Sequence, residues 1–166
     1  MKTLFLLRHA KSSWKNDLLT DHERPLNKRG RTTAPLMGRF MAEKDLQPDV
    51  IVSSTALRAK QTTDLIVESS QFPADVQFTD ELYPSGVSRC LSALQTYAGG
   101  SDAVMLVGHN PGLEEVLEVL TGRYDRMPTC ALAKIALSVA DWAEVSFGAS
   151  GELIGMWRPR ELFERE

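Results

Sequence analysis

The sequence predicts a three-layer α/β/α sandwich around a mostly parallel sheet. Three short apolar runs, at residues 3–7, 49–53 and 103–107, are typical of buried parallel strands. Polar residues and then a helical pattern follow each run, and strands that alternate with helices favour a sheet covered on both faces. With 166 residues and 43% hydrophobic content, the chain is large enough for a core of its own. We therefore expect one domain over residues 1–166.

Apolar residues that recur at helical spacing predict four helices, at residues 34–44, 56–67, 87–97 and 113–120. Pro35 is expected near the start of the first helix, because a proline deep inside a helix costs about 3 kcal/mol. Asn110 and Pro111 are expected to cap and begin the fourth helix. Two later apolar runs, at residues 131–137 and 153–157, predict additional edge strands.

The composition excludes several classes of protein. A net charge of −3 gives no electrostatic reason for binding to nucleic acid or to an anionic membrane. The apolar run at residues 4–7 is too short for an export signal, and no run reaches the roughly 18 apolar residues of a membrane span. Cys90 and Cys130 lie far apart, which is typical of reduced thiols in the cytoplasm. The three histidines lack metal-binding spacing, so no metal or other cofactor is expected.

Arginines and histidines follow three predicted strands at the point where each strand ends. Arg8 and His9 follow the first strand, Arg58 the second and His109 the third. Ligands of open α/β sheets bind at the carboxyl ends of the strands, so we expect these side chains to form one site. Arginine pairs with phosphate oxygens, and a neutral imidazole can attack phosphorus and carry the phosphoryl group. The cluster therefore predicts phosphoryl transfer in which fixed cations, without a metal, stabilise the charge.

The chain resembles the histidine phosphatase superfamily, which includes cofactor-dependent phosphoglycerate mutases and SixA-type phosphohistidine phosphatases. Five segments carry the resemblance: residues 6–14 (LLRHAKSSW), 24–30 (RPLNKRG), 53–62 (SSTALRAKQT), 80–83 (DELY) and 107–112 (VGHNPG). The resemblance implies a phosphoglycerate mutase-like fold with His9 as the phosphorylated nucleophile. It implies that Arg8, Arg58 and His109 bind the transferred phosphate. Glu81 matches the catalytic acid of the mutase-like branch, which protonates the leaving group.

Other polar side chains near the predicted site have two interpretations. Ser12 could donate a hydrogen bond to phosphate or could stabilise a turn. Five cations could form an outer rim that attracts an anionic substrate, or could be ordinary solvated surface charges: Lys11, Lys15, Arg24, Lys28 and Arg31.

Departures from the family pattern distinguish its branches. Lys15 stands where mutases carry asparagine, and Asn110 stands where the acid phosphatases carry aspartate. The chain also lacks the long insertions that cap the site in mutases and phytases, and an open site favours a bulky substrate such as a phosphorylated protein side chain. We therefore expect a SixA-type enzyme that acts on a phosphohistidine protein. The alternatives are a mutase-like enzyme, a small-molecule phosphomonoester phosphatase, or a phosphate-binding module without turnover.

Overall fold

The computed structural model describes residues 1–84, 86–148 and 150–164; positions 85, 149, 165 and 166 of the predicted domain lie outside the described residues. The strands are β1 (Lys2–Arg8), β2 (Val50–Ser54), β3 (Asp75–Thr79), β4 (Ala103–Gly108), β5 (Leu132–Leu137) and β6 (Gly151–Trp157). The helices are α1 (Lys28–Glu43), α2 (Leu57–Ser70), α3 (Val87–Tyr97), α4 (Gly112–Thr121) and α5 (Pro159–Leu162). None of the helices in this part of the chain is long and apolar enough to cross a membrane.

The six strands form one sheet in the order β3-β2-β4-β1-β5-β6. The first four pair in parallel, and β5 and β6 add two antiparallel strands at one side. Alternate residues of a strand point to opposite faces. Leu4 and Leu6 of β1 accordingly pack in the core with α3 and α4, whereas Phe5 and Leu7 pack in the core with α1 and α2. The predicted α/β/α sandwich and its added C-terminal strands are thus confirmed.

Helix α1 begins six residues earlier than the sequence pattern predicts, and Pro35 lies in its interior. The side chain of Asn27 caps the helix by accepting a hydrogen bond from the Gly30 amide at 2.9 Å. A Cβ at position 30 would collide with the carbonyl of Lys11, so glycine allows α1 to approach the segment after β1 closely. Burial of Met37 and other small or apolar residues along α1 outweighs the cost of the internal proline.

Helix α4 also begins differently from the prediction. Pro111 precedes it, and the Asn110 side chain does not cap it. Instead, the Asn110 amide donates a hydrogen bond to the Met127 carbonyl at 2.8 Å. This contact ties the segment after β4 to the segment before β5. Asn110 therefore shapes the edge of the sheet where the functional residues were predicted.

Strand β3 was not predicted from the sequence. It lies at the edge of the sheet, and its apolar side chains, Val76 and Phe78, are half-buried or exposed. Their alternation with polar residues was the signal that could have identified a strand. A single turn of 3-10 helix, Asp80–Leu82, follows β3 and leads to Tyr83, which reaches the site described below.

The carboxyl ends of the parallel strands are not covered by a large insertion in the described residues. The longest stretch between two successive strands or helices there runs from residue 9 to 27, between β1 and α1. It contains one turn of 3-10 helix, Asp21–Glu23. We refer to residues 9–27 as the β1–α1 connection.

Candidate active site

The sheet register brings the predicted site residues together. Arg8, the last residue of β1, pairs with Gly108 of β4, so His9 and His109 follow neighbouring strands at the same level. The His9 amide donates to the Gly108 carbonyl at 3.0 Å, and the centroids of the two imidazole rings are 5.0 Å apart. Arg58 is the second residue of α2 and reaches the same edge from the end of β2. Parallel pairing thus assembles residues that are about 100 positions apart in the chain.

His9 is held as a neutral ring with one nitrogen available for attack. Its Nδ1 lies 2.7 Å from the Ala10 carbonyl oxygen. Because a carbonyl oxygen can only accept, Nδ1 carries the proton and Nε2 keeps its lone pair. Burial, together with nearby positive charges, lowers the pKa of His9 to about 3 against the opposing effect of the Ala10 hydrogen bond. The ring is therefore uncharged at neutral pH, with a lone pair on Nε2.

His109 is neutral as well, with the opposite nitrogen protonated. Its Nδ1 lies 3.4 Å from Nη2 of Arg58, and arginine can only donate. Its Nε2, 2.8 Å from the Ser54 hydroxyl, therefore carries the proton and donates it to that oxygen. Burial, together with the Arg58 charge, lowers the pKa of His109 to about 4.

Both predicted arginines contribute donors at this edge. The Arg58 side chain is only 6% exposed, and its Nη1 and Nη2 donate to the backbone oxygen and carboxylate of Asp21 at 2.6 and 3.0 Å. Arg8 donates from Nη1 to the Met127 carbonyl at 3.2 Å, and its buried Nε has no protein partner in the described residues. A buried donor without an acceptor is costly, and an anion in the pocket would supply the missing acceptor.

Asp21 and Arg24 also line the pocket; sequence reasoning missed Asp21 and gave Arg24 two interpretations, an outer rim or ordinary surface charge. Asp21 accepts hydrogen bonds from Arg24 Nη1 at 2.8 Å and from the Tyr83 hydroxyl at 2.7 Å, in addition to those from Arg58. Partial burial acts to raise the pKa of Asp21, but the hydrogen bonds from Tyr83, Arg24 and Arg58 outweigh it and hold that pKa well below its usual value. The carboxylate is therefore ionised and joins two guanidinium groups.

Arg24 is buried rather than solvated. It is 7% exposed, it donates to the Ser13 carbonyl at 3.0 Å and to the Ser12 hydroxyl, and its guanidinium lies 3.2 Å from the centroid of the Trp14 ring. Of the two interpretations of this cation, ordinary surface charge is therefore wrong. Its place in the segment at residues 24–30 was the available signal, whereas Asp21 offered none beyond an acidic residue in a charged loop.

These residues enclose an open pocket of about 290 Å³. It is lined by Arg8, His9, Arg58 and His109, by Lys11, Ser12, Trp14, Asp21 and Arg24 of the β1–α1 connection, and by Asn110 and Thr129. Four cationic side chains thus face one carboxylate, which gives the pocket a net positive charge. A small anion such as a phosphoryl group matches its size and charge.

For two of the predicted site residues, Ser12 and Glu81, the structure does not indicate a single role. Ser12 lines the pocket, but its hydroxyl accepts a hydrogen bond from Arg24 and its backbone pairs with Leu26, so the structure agrees with both interpretations. Glu81 does not line the pocket. Its Oε1 accepts a hydrogen bond from Ser92 at 2.9 Å, and its buried Oε2 has no partner in the described residues. The role of Glu81 as an acid stays a prediction.

The remaining histidine and the two cysteines lie outside the lining of this pocket. The Nε2 of His22 lies 3.0 Å from the hydroxyl of Thr55, and neither residue lines the pocket. In the part of the chain that the structure describes, no group of three or more His, Cys, Asp or Glu residues could hold a metal ion. Cys90 and Cys130 are both buried, and burial raises the pKa of the Cys130 thiol to about 12.

Comparison with known proteins agrees with this geometry. A family model of the histidine phosphatase superfamily (branch 1) matches residues 4–83. The structure of a putative phosphohistidine phosphatase SixA from Agrobacterium tumefaciens is 30% identical and superimposes with a TM-score of 0.81, covering 95% of this chain and 98% of that one. A SixA complex with tungstate, 22% identical, has the same fold with a TM-score of 0.81 over 96% of this chain and 99% of that one.

Similar sequences extend over most of the chain. An uncharacterized chloroplastic protein of Arabidopsis thaliana is 30% identical over 95% of this chain and 75% of its own length. Phosphohistidine phosphatase SixA of Escherichia coli is 28% identical over 81% of this chain and 84% of its own length. These matches and the solved structures confirm the phosphoglycerate mutase-like fold, and the chain belongs to the histidine phosphatase superfamily.

Proposed function

We propose that this protein is a SixA-type phosphohistidine phosphatase that removes phosphoryl groups through a phosphohistidine intermediate at His9. Membership of the superfamily supports phosphatase activity. The observation that carries the proposed role of His9 is the state of its ring. It is a buried, neutral imidazole with Nε2 unprotonated, in a pocket with four cationic side chains. Such a ring can act as a nucleophile toward an electrophile that the cations hold in place.

In the first step, the pocket binds the phosphoryl group of the substrate. Arg8 offers its unpaired Nε, and Arg58 presents a guanidinium group that Asp21 already holds in position. Negative charge beside His109 favours the protonated form of that ring and opposes the effect of burial on its pKa. His109 would then add a further donor to the phosphoryl oxygens.

In the second step, Nε2 of His9 forms a bond to phosphorus while the bond to the leaving group breaks. The Ala10 carbonyl accepts the Nδ1 proton and stabilises the positive ring that results. Charge spreads over the equatorial oxygens in the transition state, where fixed arginines lower its energy. Water then attacks phosphorus, inorganic phosphate is released, and His9 returns to its neutral form.

The open rim of the pocket supports a protein as the substrate. Trp14 and Leu18 of the β1–α1 connection are 75% and 93% exposed. No large insertion covers the pocket in the described residues, so a phosphorylated side chain on a protein surface can approach the pocket. A cytoplasmic phosphohistidine protein is the partner that we propose; the cytoplasmic location itself stays a prediction from the two thiols.

Turnover by one preparation on three substrates tests this function. We expect the wild-type protein to release inorganic phosphate from a phosphohistidine peptide faster than from sugar phosphates, with or without a chelator. His9→Ala should abolish release, and His22→Ala is the matched control because His22 is the remaining histidine and lies outside the pocket.

Each alternative function has its own outcome in this experiment. Transfer of phosphate to a second hydroxyl of a sugar, without release, would indicate a mutase. Preference for sugar phosphates would indicate a small-molecule phosphatase. Tight binding of phosphate without turnover would indicate a binding module. Undiminished release of inorganic phosphate by His9→Ala would show that His9 is not the nucleophile.

A further inference from the structure

Asp21 is a carboxylate at the mouth of a pocket that is otherwise arranged to bind an anion. Among the described residues that line the pocket, it is the one acidic side chain. Its side chain is 48% exposed, and it bridges Arg24 on Oδ1 and Arg58 on Oδ2. The Tyr83 hydroxyl donates to Oδ2 as well. Three segments of the chain therefore converge to hold this carboxylate in one position.

A fixed negative charge beside a phosphoryl site weakens the binding of the phosphoryl group. The carboxylate repels the phosphoryl oxygens and takes up the Nη2 donor of Arg58, which could otherwise bind them; Nη1 of Arg58 donates to the backbone oxygen of Asp21. Asp21 cannot act as an acid near neutral pH, because its hydrogen bonds to Tyr83, Arg24 and Arg58 stabilise the ionised form. Besides positioning Arg24 and Arg58, such a group can accept a hydrogen bond from a substrate.

The resting pocket presents no proton to a leaving group. Near neutral pH only carboxyl and imidazole groups, among the side chains that line it, exchange protons readily. The His9 proton is directed to the Ala10 carbonyl, and the His109 proton is directed to the Ser54 hydroxyl. Glu81 lies outside the lining and is hydrogen-bonded to Ser92. In this resting arrangement, before a bound phosphoryl group favours protonation of His109, no side chain of the lining offers a proton to an oxygen leaving group.

A phosphorylated imidazole brings the proton that the pocket lacks. When its second ring nitrogen is protonated, the ring carries a positive charge and an N–H donor. We propose that Asp21 selects N-phosphorylated imidazole over O-phosphorylated substrates by accepting a hydrogen bond from this N–H. The inference rests on the proposed function, since it assumes transfer to His9.

The proposed step balances without any proton from the protein. Nε2 of His9 forms the new bond to phosphorus, and the electron pair of the breaking N–P bond stays on the substrate ring nitrogen. The substrate ring, which keeps its proton on the other nitrogen, leaves as neutral imidazole. The positive charge passes to the phosphorylated His9 ring, whose Nδ1 proton is held by the Ala10 carbonyl. Asp21 stabilises the cationic substrate ring and keeps it oriented for in-line transfer.

The variant Asp21→Asn tests the selection. It keeps the size of the side chain and removes the charge. We expect kcat/KM for a phosphohistidine peptide, divided by kcat/KM for the same peptide with phosphoserine, to fall about 10- to 100-fold, the loss typical of a hydrogen bond to a charged group. Asp17→Asn is the matched control, because Asp17 is exposed in the same connection and makes no hydrogen bond or ion pair within the described part of the chain. It should leave the ratio unchanged.

The outcomes separate selection from positioning. An equal loss on both peptides would mean that Asp21 only positions Arg58 and Arg24, and would overturn the inference. A wild-type protein that fails to hydrolyse the phosphohistidine peptide would instead defeat the proposed function. A wild-type protein that hydrolyses it, beside an Asp21→Asn variant that keeps the same preference, would defeat this inference alone.

A change in the substrate tests the same hydrogen bond in the unaltered protein, in case Asp21→Asn does not fold. Phosphoimidazole is compared with an analogue that carries a methyl group on the second ring nitrogen, each rate being divided by its uncatalysed rate. We expect the methylated analogue to react about 10-fold more slowly, because it cannot donate to Asp21. A third compound, methylated on a ring carbon, controls for size and should react like phosphoimidazole. Equal rates for all three would overturn the inference.

Discussion

The floor and the rim of the pocket are built in different ways. The floor consists of Arg8, His9, Arg58 and His109, which stand at strand ends or the adjoining helix start; the last three are each 6% exposed. The rim consists of Ser12, Trp14, Asp21 and Arg24, which belong to the β1–α1 connection and are joined by side-chain contacts. Sheet register fixes the floor, whereas a hydrogen-bond network fixes the rim. We infer that the floor performs phosphoryl transfer and the rim selects the substrate.

Removing one arginine from each region should produce losses of different size. We expect Arg58→Ala to lower kcat/KM for a phosphohistidine peptide about 1000-fold, because it removes a buried cation at the phosphoryl site and leaves Asp21 without that partner. Arg24→Ala should lower it about 10-fold, mainly through KM. Steady-state kinetics measure both, with Arg39→Ala, exposed on α1, as the control. A larger loss for Arg24→Ala would contradict the division into floor and rim.

As the pH falls, the two histidines of the floor should lose their contribution to the free energy of unfolding before Asp21 of the rim loses its own. The folded-state pKa values of His9 and His109, about 3 and about 4, lie below the ordinary value near 6.5, so the unfolded chain binds more protons over the interval between them. Stability from each ring is present above pH 6.5 and is lost as the pH falls toward its folded pKa. We expect a loss of roughly 2 kcal/mol for each histidine between pH 6.5 and 5.

Urea unfolding at the two pH values measures this effect. The free energy of unfolding should decrease between pH 6.5 and pH 5 in both proteins. In His9→Gln this decrease should be about 2 kcal/mol smaller than in the wild type, because one titrating ring is gone. Asp21 has a lowered pKa, so its contribution is present at both pH values and is lost only below the ordinary carboxyl value. An unchanged decrease in His9→Gln would show that the ring is not buried in its neutral form.

The smallest expected effect concerns Glu81, which belongs to neither region. If this carboxyl protonates oxygen leaving groups, Glu81→Gln should slow hydrolysis of a phosphoserine peptide about 10-fold more than that of p-nitrophenyl phosphate, whose leaving group needs little protonation. We expect less than the usual 100-fold or greater effect of a general acid because Glu81 does not line the resting pocket. Equal losses on the two substrates would remove Glu81 from the catalytic residues.

The sequence predicted the floor better than the rim, for a physical reason. Strand ends and the residues after them can be identified locally, and parallel strands necessarily bring Arg8, His9 and His109 to one edge. The pairing of Asp21 with Arg24 and Arg58 depends on how the β1–α1 connection folds back over the site, which no local pattern specifies. For that reason the sequence alone does not decide whether Arg24 belongs to the rim or is an ordinary surface charge.

The fold shows the same division between strong and weak local signals. The apolar strands β1, β2 and β4 were predicted within a few residues, whereas the edge strand β3 was missed because it buries little apolar surface. The start of α1 was misplaced because the cap at Asn27 and close packing at Gly30 outweigh the signal from Pro35.

Identification of the phosphorylated residue decides whether His9 is the nucleophile. The wild-type protein is mixed rapidly with a phosphohistidine peptide, quenched in alkali, where phosphohistidine is preserved, and analysed by peptide mass spectrometry. We expect an acid-labile phosphoryl group on the peptide that contains His9, and on no other peptide. A phosphoryl group on His109, or release of phosphate with no phosphorylated protein at any time, would contradict it.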